Sequence, residues 1–371
     1  MSKILHLTPN AYLNLNSNHA TKKIWIELSR EFEEYHILGR SKDNQFHTYQ
    51  EGKLFLHLVP GFGRKNLSFA FTSLFLNRLM KKYKINLIMS QCPVLGGFNA
   101  IRYGKRHNIP VLMEIHEVFY FKMLSGRGLK NFLSSKAIKY SLNNATMIRA
   151  LNEEMRNMII DAGILNNNIS IVHNRVDISL FNKPKGNFEI GEKVKIISVG
   201  NFIKTKGHKI AFDALEKLKS KYDIELTLVG GGPLKVEYEE IIKEKNINVV
   251  LYDRVPQEKI VELITDSDIY IHPSISEGMP RAILEAMAMR MPIIATSAGT
   301  TSGTIINDYN GLLIKPGNIE ELSEMLEKMI NDSNLRKKLS QNAFLDVLEK
   351  FEWNHSFNTY RRLLKDLDEK K

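Results

Sequence analysis

The 371-residue chain is 43% hydrophobic and 25% charged, which at this length allows large cores and two domains. Its single cysteine, Cys92, excludes an internal disulfide, and no uncharged apolar run approaches the ~20 residues that span a bilayer. The formal net charge of +11 is lopsided: residues 1–178 hold 24 Lys and Arg against 12 Asp and Glu, and between Gly52 and Asn152 the acids are Glu114 and Glu117 alone. A one-sign field of that size points to an anionic partner surface, either membrane or nucleic acid. The lone thiol fits a reducing compartment, and with a strand-like run directly after the first residues no signal peptide is expected.

Taken in order, residues 1–178 alternate strand and helix patterns. Apolar runs at 4–8, 34–38, 54–59, 87–90, 110–115, 146–150 and 169–172 predict strands. Residues 20–32, 66–83, 98–106, 129–143 and 153–162 predict helices, with a polar loop over 14–19 and turns at 60–63 and 93–97. Residues 174–191 mix Pro, Gly and polar side chains and read as a hinge. The alternation then resumes. Strands are predicted at 194–199, 224–229, 249–252, 269–272 and 293–295, and helices at 208–220, 259–265, 322–331, 335–348 and 351–367. The fold class is therefore α/β, with two Rossmann-like, doubly wound domains. The boundaries read as 1–178, 179–352 and a terminal helix within 353–371.

Residues 270–299 carry the chemistry. A short strand breaks at Pro273, and a helix opens at Pro280, whose fixed φ suits a first helical position. Met291-Pro292 stops that helix before the next buried strand. Such a unit presents its loop and helix N-terminus at the carboxyl edge of a parallel sheet, where free amides and the helix dipole favour an anion. The loop nonetheless carries Glu277, and Glu285 follows eight residues later. Carboxylates beside an anion site suit neutral hydroxyl donors such as those of a sugar. The string S-E-G-M-P-x-x-x-L-E-A-M-A resembles the E-x7-E signature of retaining glycosyltransferases of the GT-B fold, in particular glycosyltransferase family 4.

The rest of the chain carries further pieces of that resemblance. I-V-H-N-R-V-D-I-S-L-F is similar to the family's interdomain link, with Arg175 in place of a glycine. The resemblance implies two domains facing a cleft, a last helix crossing back to the first domain, a nucleotide sugar held by the second and an acceptor by the first. In G-N-F-I-K-T-K-G, Gly200 lets the backbone turn closely and Lys206 stands before a helix, as a diphosphate site requires. Asn201 occupies the position of the family's usual arginine, and Lys204 is a candidate substitute as a flexible point charge. Gly230-Gly231-Gly232-Pro233 matches the turn that approaches the nucleotide. Arg254 and Val255 fall where the base is held. Glu285 matches the acid that accepts from ribose hydroxyls. Glu277 matches the acid near the transferred sugar, beside the amides of Gly278 and Met279. His116, closing a buried strand before Glu117, matches the histidine that reaches the donor sugar. Asn16 to Asn18 replace a glycine pair, Gly96-Gly97 form another, and Gly303 stands where a glutamate is usual.

No His, Cys or Asp cluster has metal-ligand spacing, and Asp266-Ser267-Asp268 reads as a helix end, so no metal or other cofactor is expected. Residues 119–140 interleave Phe119, Tyr120, Phe121, Leu129, Phe132 and Leu133 with Lys122, Arg127, Lys130, Lys136 and Lys139, a pattern suited to an anionic membrane. The expectation is a retaining, cytoplasmic glycosyltransferase, peripheral on the inner face of the cell membrane. It would use a UDP- or GDP-sugar and a lipid-linked or glycan acceptor, as in surface polysaccharide assembly, with no nucleic acid partner. The alternatives are a nucleotide-sugar epimerase or hydrolase on the same scaffold, and a nucleic-acid-binding protein.

Overall fold

The computed structural model describes residues 2–16, 19–61 and 72–370. Residue contacts divide the chain into two compact units, Met1–Val172 with Asn358–Lys371, and His173–Phe357. The first unit holds an eight-stranded sheet in the order β3-β4-β2-β1-β5-β6-β7-β8. Its strands are β1 (Lys3–Tyr12), β2 (Glu34–Ser41), β3 (His47–Glu51), β4 (Leu54–Val59), β5 (Leu87–Ser90), β6 (Val111–Glu114), β7 (Met147–Ala150) and β8 (Ile169–Ile171). All pair in parallel except β3, which runs antiparallel to β4. The second unit holds a six-stranded parallel sheet ordered β11-β10-β9-β12-β13-β14. Its strands are β9 (Lys193–Val199), β10 (Asp223–Val229), β11 (Val249–Tyr252), β12 (Ile269–His272), β13 (Ile293–Thr296) and β14 (Leu312–Ile314).

Parallel strands covered by helices on both faces read as unbroken apolar runs. Leu-Ile-Met-Ser of β5 and Ile-Tyr-Ile-His of β12 are buried at every position. In the second unit Ile196, Leu226, Leu228, Ile269 and Ile271 pack with Phe212, Leu215, Leu322 and Leu326 from the covering helices. Each such side chain contributes about 1.5–3 kcal/mol on burial.

Two strands escape the sequence reading. β3 is His-Thr-Tyr-Gln-Glu, an edge strand with little apolar surface, and β14 is three residues long. The helix predicted over 66–83 is described only as Thr72–Tyr83. Its earlier residues, positions 62–63 of the predicted turn and positions 17–18 of the polar loop lie outside the described residues.

The link after β8 belongs by its contacts to the second unit from His173 onward, ahead of the boundary read at 178. Val176 N donates to Phe351 O, and Asn174 Nδ2 donates to Met279 O at 2.7 Å. Arg175, the residue in place of a glycine, lies 5.0 Å from the Trp353 ring and 5.1 Å from that of Phe357, two cation–π contacts that give the substitution its structural role. A terminal helix, Trp353–Asp368, begins in the second unit and passes into the first at Asn358.

Candidate active site

The site in the second unit forms where chain crossings admit no side chain. Gly207 has φ +66°, and a Cβ there would stand 2.0 Å from Pro273 O. This close approach seats the 3₁₀ turn Lys204–Lys206 on the loop after β12, and Ile275 N donates to Thr205 O at 2.7 Å to stitch the two. Gly230 is equally constrained, since its Cβ would lie 2.0 Å from Gly200 O. A Cβ on Gly200 would meet the stem of Lys206 at 3.5 Å, so the lysine chain lies along the end of β9.

These constraints bring Lys206 to Glu277. Lys206 Nζ donates to Glu277 Oε1 at 2.5 Å. Ser274 Oγ donates to the same oxygen at 2.6 Å, and His272 Nε2 lies 2.9 Å from it. Burial alone would push the Glu277 carboxyl up, but the hydrogen bond and charge of His272, with Lys206, hold it down at about 2. Three partners on one oxygen fix the side chain, and Glu277 is 7% exposed. The amides of Gly278 and Met279 follow at once. Both residues are buried, and among the described residues neither amide has a recorded acceptor. They precede the helix Arg281–Ala288, whose N-terminus has no side-chain cap. Free N–H groups at a helix start form an anion-binding surface.

Glu285 lies in that helix, half-buried, with no hydrogen bond or ion pair to its carboxyl among the described residues. Burial pushes the carboxyl up to about 7, with Arg281 opposing. A desolvated, unpaired carboxylate is costly unless a ligand supplies donors. Asn201 and Arg254 also meet, with Arg254 Nη2 donating to Asn201 Oδ1 at 3.1 Å. The sequence read Arg254 as a base-holding position and looked to Lys204 for the missing cation. Arg254 sets its guanidinium beside Asn201, and Lys204 is exposed. Val255 is half-buried next to it. Gly303 closes the 3₁₀ turn Thr301–Gly303, and Thr300 Oγ1 donates to Gly278 O.

The sequence missed His272 and Ser274, whose only signal was their place at the end of β12. Asp268, in the D-x-D string, is tied up structurally: Lys185 Nζ lies 3.2 Å from Oδ1, and Lys195 N donates to Oδ2 at 3.0 Å. Among the described residues no group of three His, Cys, Asp or Glu side chains is placed to hold a metal ion.

In the first unit His116 follows β6, with Nε2 3.3 Å from Glu114 Oε2 and its side chain 29% exposed. Gly97 packs without room, since its Cβ would stand 2.7 Å from Cys92 O. The basic-aromatic stretch forms two helices, Phe119–Ser125 and Leu129–Asn143. Tyr120 turns inward, whereas Leu129 is 73%, Phe132 53% and Leu133 58% exposed. Lys122, Arg127, Lys130, Lys136 and Lys139 are exposed around them, with Lys136 Nζ 4.5 Å from the Phe132 ring. Among the described residues no helix is long and apolar enough to cross a membrane.

Two parallel-sheet units with a lysine, two glutamates and a capless helix at the carboxyl edge of the second define the class of GT-B glycosyltransferases. The chain belongs to the family 4 and group 1 glycosyltransferases: the description "Glycosyltransferase Family 4" matches residues 27–180, and "Glycosyl transferases group 1" matches residues 181–346. An uncharacterised glycosyltransferase of Methanocaldococcus jannaschii is 25% identical over 90% of this chain and 93% of its own. The N,N'-diacetylbacillosaminyl-diphospho-undecaprenol alpha-1,3-N-acetylgalactosaminyltransferase of Campylobacter jejuni is 26% identical over 74% of this chain and 76% of its own. The solved sucrose-phosphate synthase of Thermosynechococcus elongatus shares the fold, with a TM-score of 0.85 at 17% identity over 100% of both chains.

Proposed function

We propose that this enzyme moves a sugar, with retention of anomeric configuration, from a UDP- or GDP-sugar to a hydroxyl of a lipid-linked or glycan acceptor at the cytoplasmic face of an anionic membrane. The observation that carries the donor assignment is the second unit's arrangement of Lys206 on Glu277, free amides at 278 and 279, and an unpaired Glu285. Lys206, Arg254 and the amides at the helix start hold the diphosphate. Glu285 accepts from the ribose hydroxyls, and the strand ends at Gly200 and Gly230 give the nucleotide close access to the backbone. Val255 holds the base. Glu277, fixed through one oxygen, has the other for a hydroxyl of the transferred sugar, and His116 is the first unit's own candidate partner for a sugar hydroxyl.

In the transfer the bond from the anomeric carbon to the phosphate oxygen breaks, and the acceptor oxygen bonds that carbon from the same face. The acceptor proton passes to the departing phosphate oxygen. Lys206 and the fixed dipoles stabilise the charge that grows on the leaving group, and no metal is needed in this reading. The acceptor class is supported by the undecaprenol-linked substrate in the Campylobacter jejuni relative's name and by the outward Leu129, Phe132 and Leu133 among cations. Each cation near an anionic surface contributes about 1 kcal/mol.

The test is a thermal-shift screen of UDP-, GDP- and ADP-sugars against the full chain and its Lys206→Ala variant. One nucleotide class should stabilise the parent and fail to stabilise the variant. Equal stabilisation of both would remove Lys206 from the donor site.

A further inference from the structure

Glu114 sits at the end of β6, 1% exposed, with a partner on every side. Its Oε1 accepts from Arg149 Nη1 at 2.8 Å and from Tyr360 Oη at 2.6 Å, the latter on the terminal helix. Its Oε2 accepts from Gln91 Nε2 at 3.1 Å and faces His116 Nε2 at 3.3 Å. Burial would raise this carboxyl, but Arg149, His116 and His6 hold it well below the usual range, so it is an acceptor alone. A neutral imidazole facing a pure acceptor must place its proton on the nitrogen that faces it.

We infer that Glu114 is a positioning residue for His116: it fixes the Nε2–H tautomer, so that the lone pair of Nδ1 is what the partly exposed ring offers a sugar hydroxyl. The role toward the sugar rests on the function proposed above, whereas the tautomer does not. Arg149 and Tyr360 hold Glu114 in turn, so the terminal helix takes part in setting the histidine.

The replacement Glu114→Gln makes a sharp case. One amide position must now donate. Arg149 cannot accept, so the amide oxygen stays on its side and the NH₂ group turns toward Gln91 and His116. Gln91 can flip its own amide, but His116 can adapt only by accepting at Nε2 and moving its proton to Nδ1. The histidine would then present a donor where it had presented an acceptor.

The experiment is nitrogen-15 NMR of the imidazole side chains in the full chain, above the pH of histidine titration, with His116 assigned by its disappearance in His116→Gln. The expected wild-type result is a protonated Nε2 and an unprotonated Nδ1, and in Glu114→Gln the reverse. A wild-type His116 protonated at Nδ1 overturns the proposal even if the Gln variant fails to fold, and so does an unchanged tautomer in a folded variant. Kinetics separate the two layers. Loss of one sugar hydrogen bond should lower kcat in Glu114→Gln by about tenfold, with KM for the nucleotide sugar little changed. If the tautomer inverts and kcat stays put, the sugar-facing role of His116 fails while the positioning geometry stands.

Discussion

Replacing Glu285 by Gln should make the protein more stable and bind nucleotide worse. The folded carboxyl titrates at about 7 against an ordinary 4.5, because burial disfavours the charge. A raised acid contributes its stability below its unfolded value and loses it as pH rises through the folded one. The cost of the ionised group therefore grows from pH 4.5 to pH 7 and levels off at about 3 kcal/mol. Glu285→Gln removes that cost. At ~2–4 °C per kcal/mol for a domain of this size, melting at pH 8 should rise by several degrees, with almost no difference at pH 4. Calorimetric melting across that range checks the first half. Titration with the preferred nucleoside diphosphate checks the second: the variant loses an ionic acceptor worth about 1.5–3 kcal/mol, a ten- to hundredfold drop in affinity at pH 8. A melting difference that does not change with pH, or unchanged affinity, would refute the picture of a desolvated carboxylate awaiting hydroxyl donors.

Arg254→Ala should weaken nucleoside diphosphate binding about tenfold, read by the same titration, whereas Lys204→Ala should leave it within experimental scatter. Glu277, held at about 2, contributes stability above pH 4.5 that is lost as pH falls through 2. Glu277→Gln should therefore cost up to about 3 kcal/mol at pH 7 and progressively less in acid, seen by denaturant unfolding. Reversing Lys130, Lys136 and Lys139 to Glu should abolish sedimentation with phosphatidylglycerol vesicles while sparing nucleotide binding. Unchanged sedimentation would place the membrane surface elsewhere. Transfer should survive EDTA at full rate, and its loss on chelation would contradict a leaving group carried by Lys206 and amide dipoles.

The two-sheet architecture was readable because buried parallel strands are continuous apolar words, such as those of β5 and β12. β3 was not, since a polar edge strand paired on one side has no such signature. The E-x7-E spacing and the Lys206-Gly207 pair marked the candidate donor site that the geometry brings together, because each depends on one short segment. What the sequence hid was how segments meet. Ser274 and His272 on Glu277, Arg254 on Asn201, and Tyr360 on Glu114 across 246 positions are products of folding, with no local pattern to announce them. Arg175 belongs with these: a departure from the expected glycine gains meaning only once Trp353 and Phe357 lie beside it.

A crystal structure with the stabilising nucleoside diphosphate bound is the most direct measurement of the donor site. The ribose hydroxyls should lie within hydrogen-bond distance of Glu285 and the phosphates on Lys206 and the amides of Gly278 and Met279. Nucleotide bound away from these groups, or a Glu285 carboxyl touching none of it, would contradict the account.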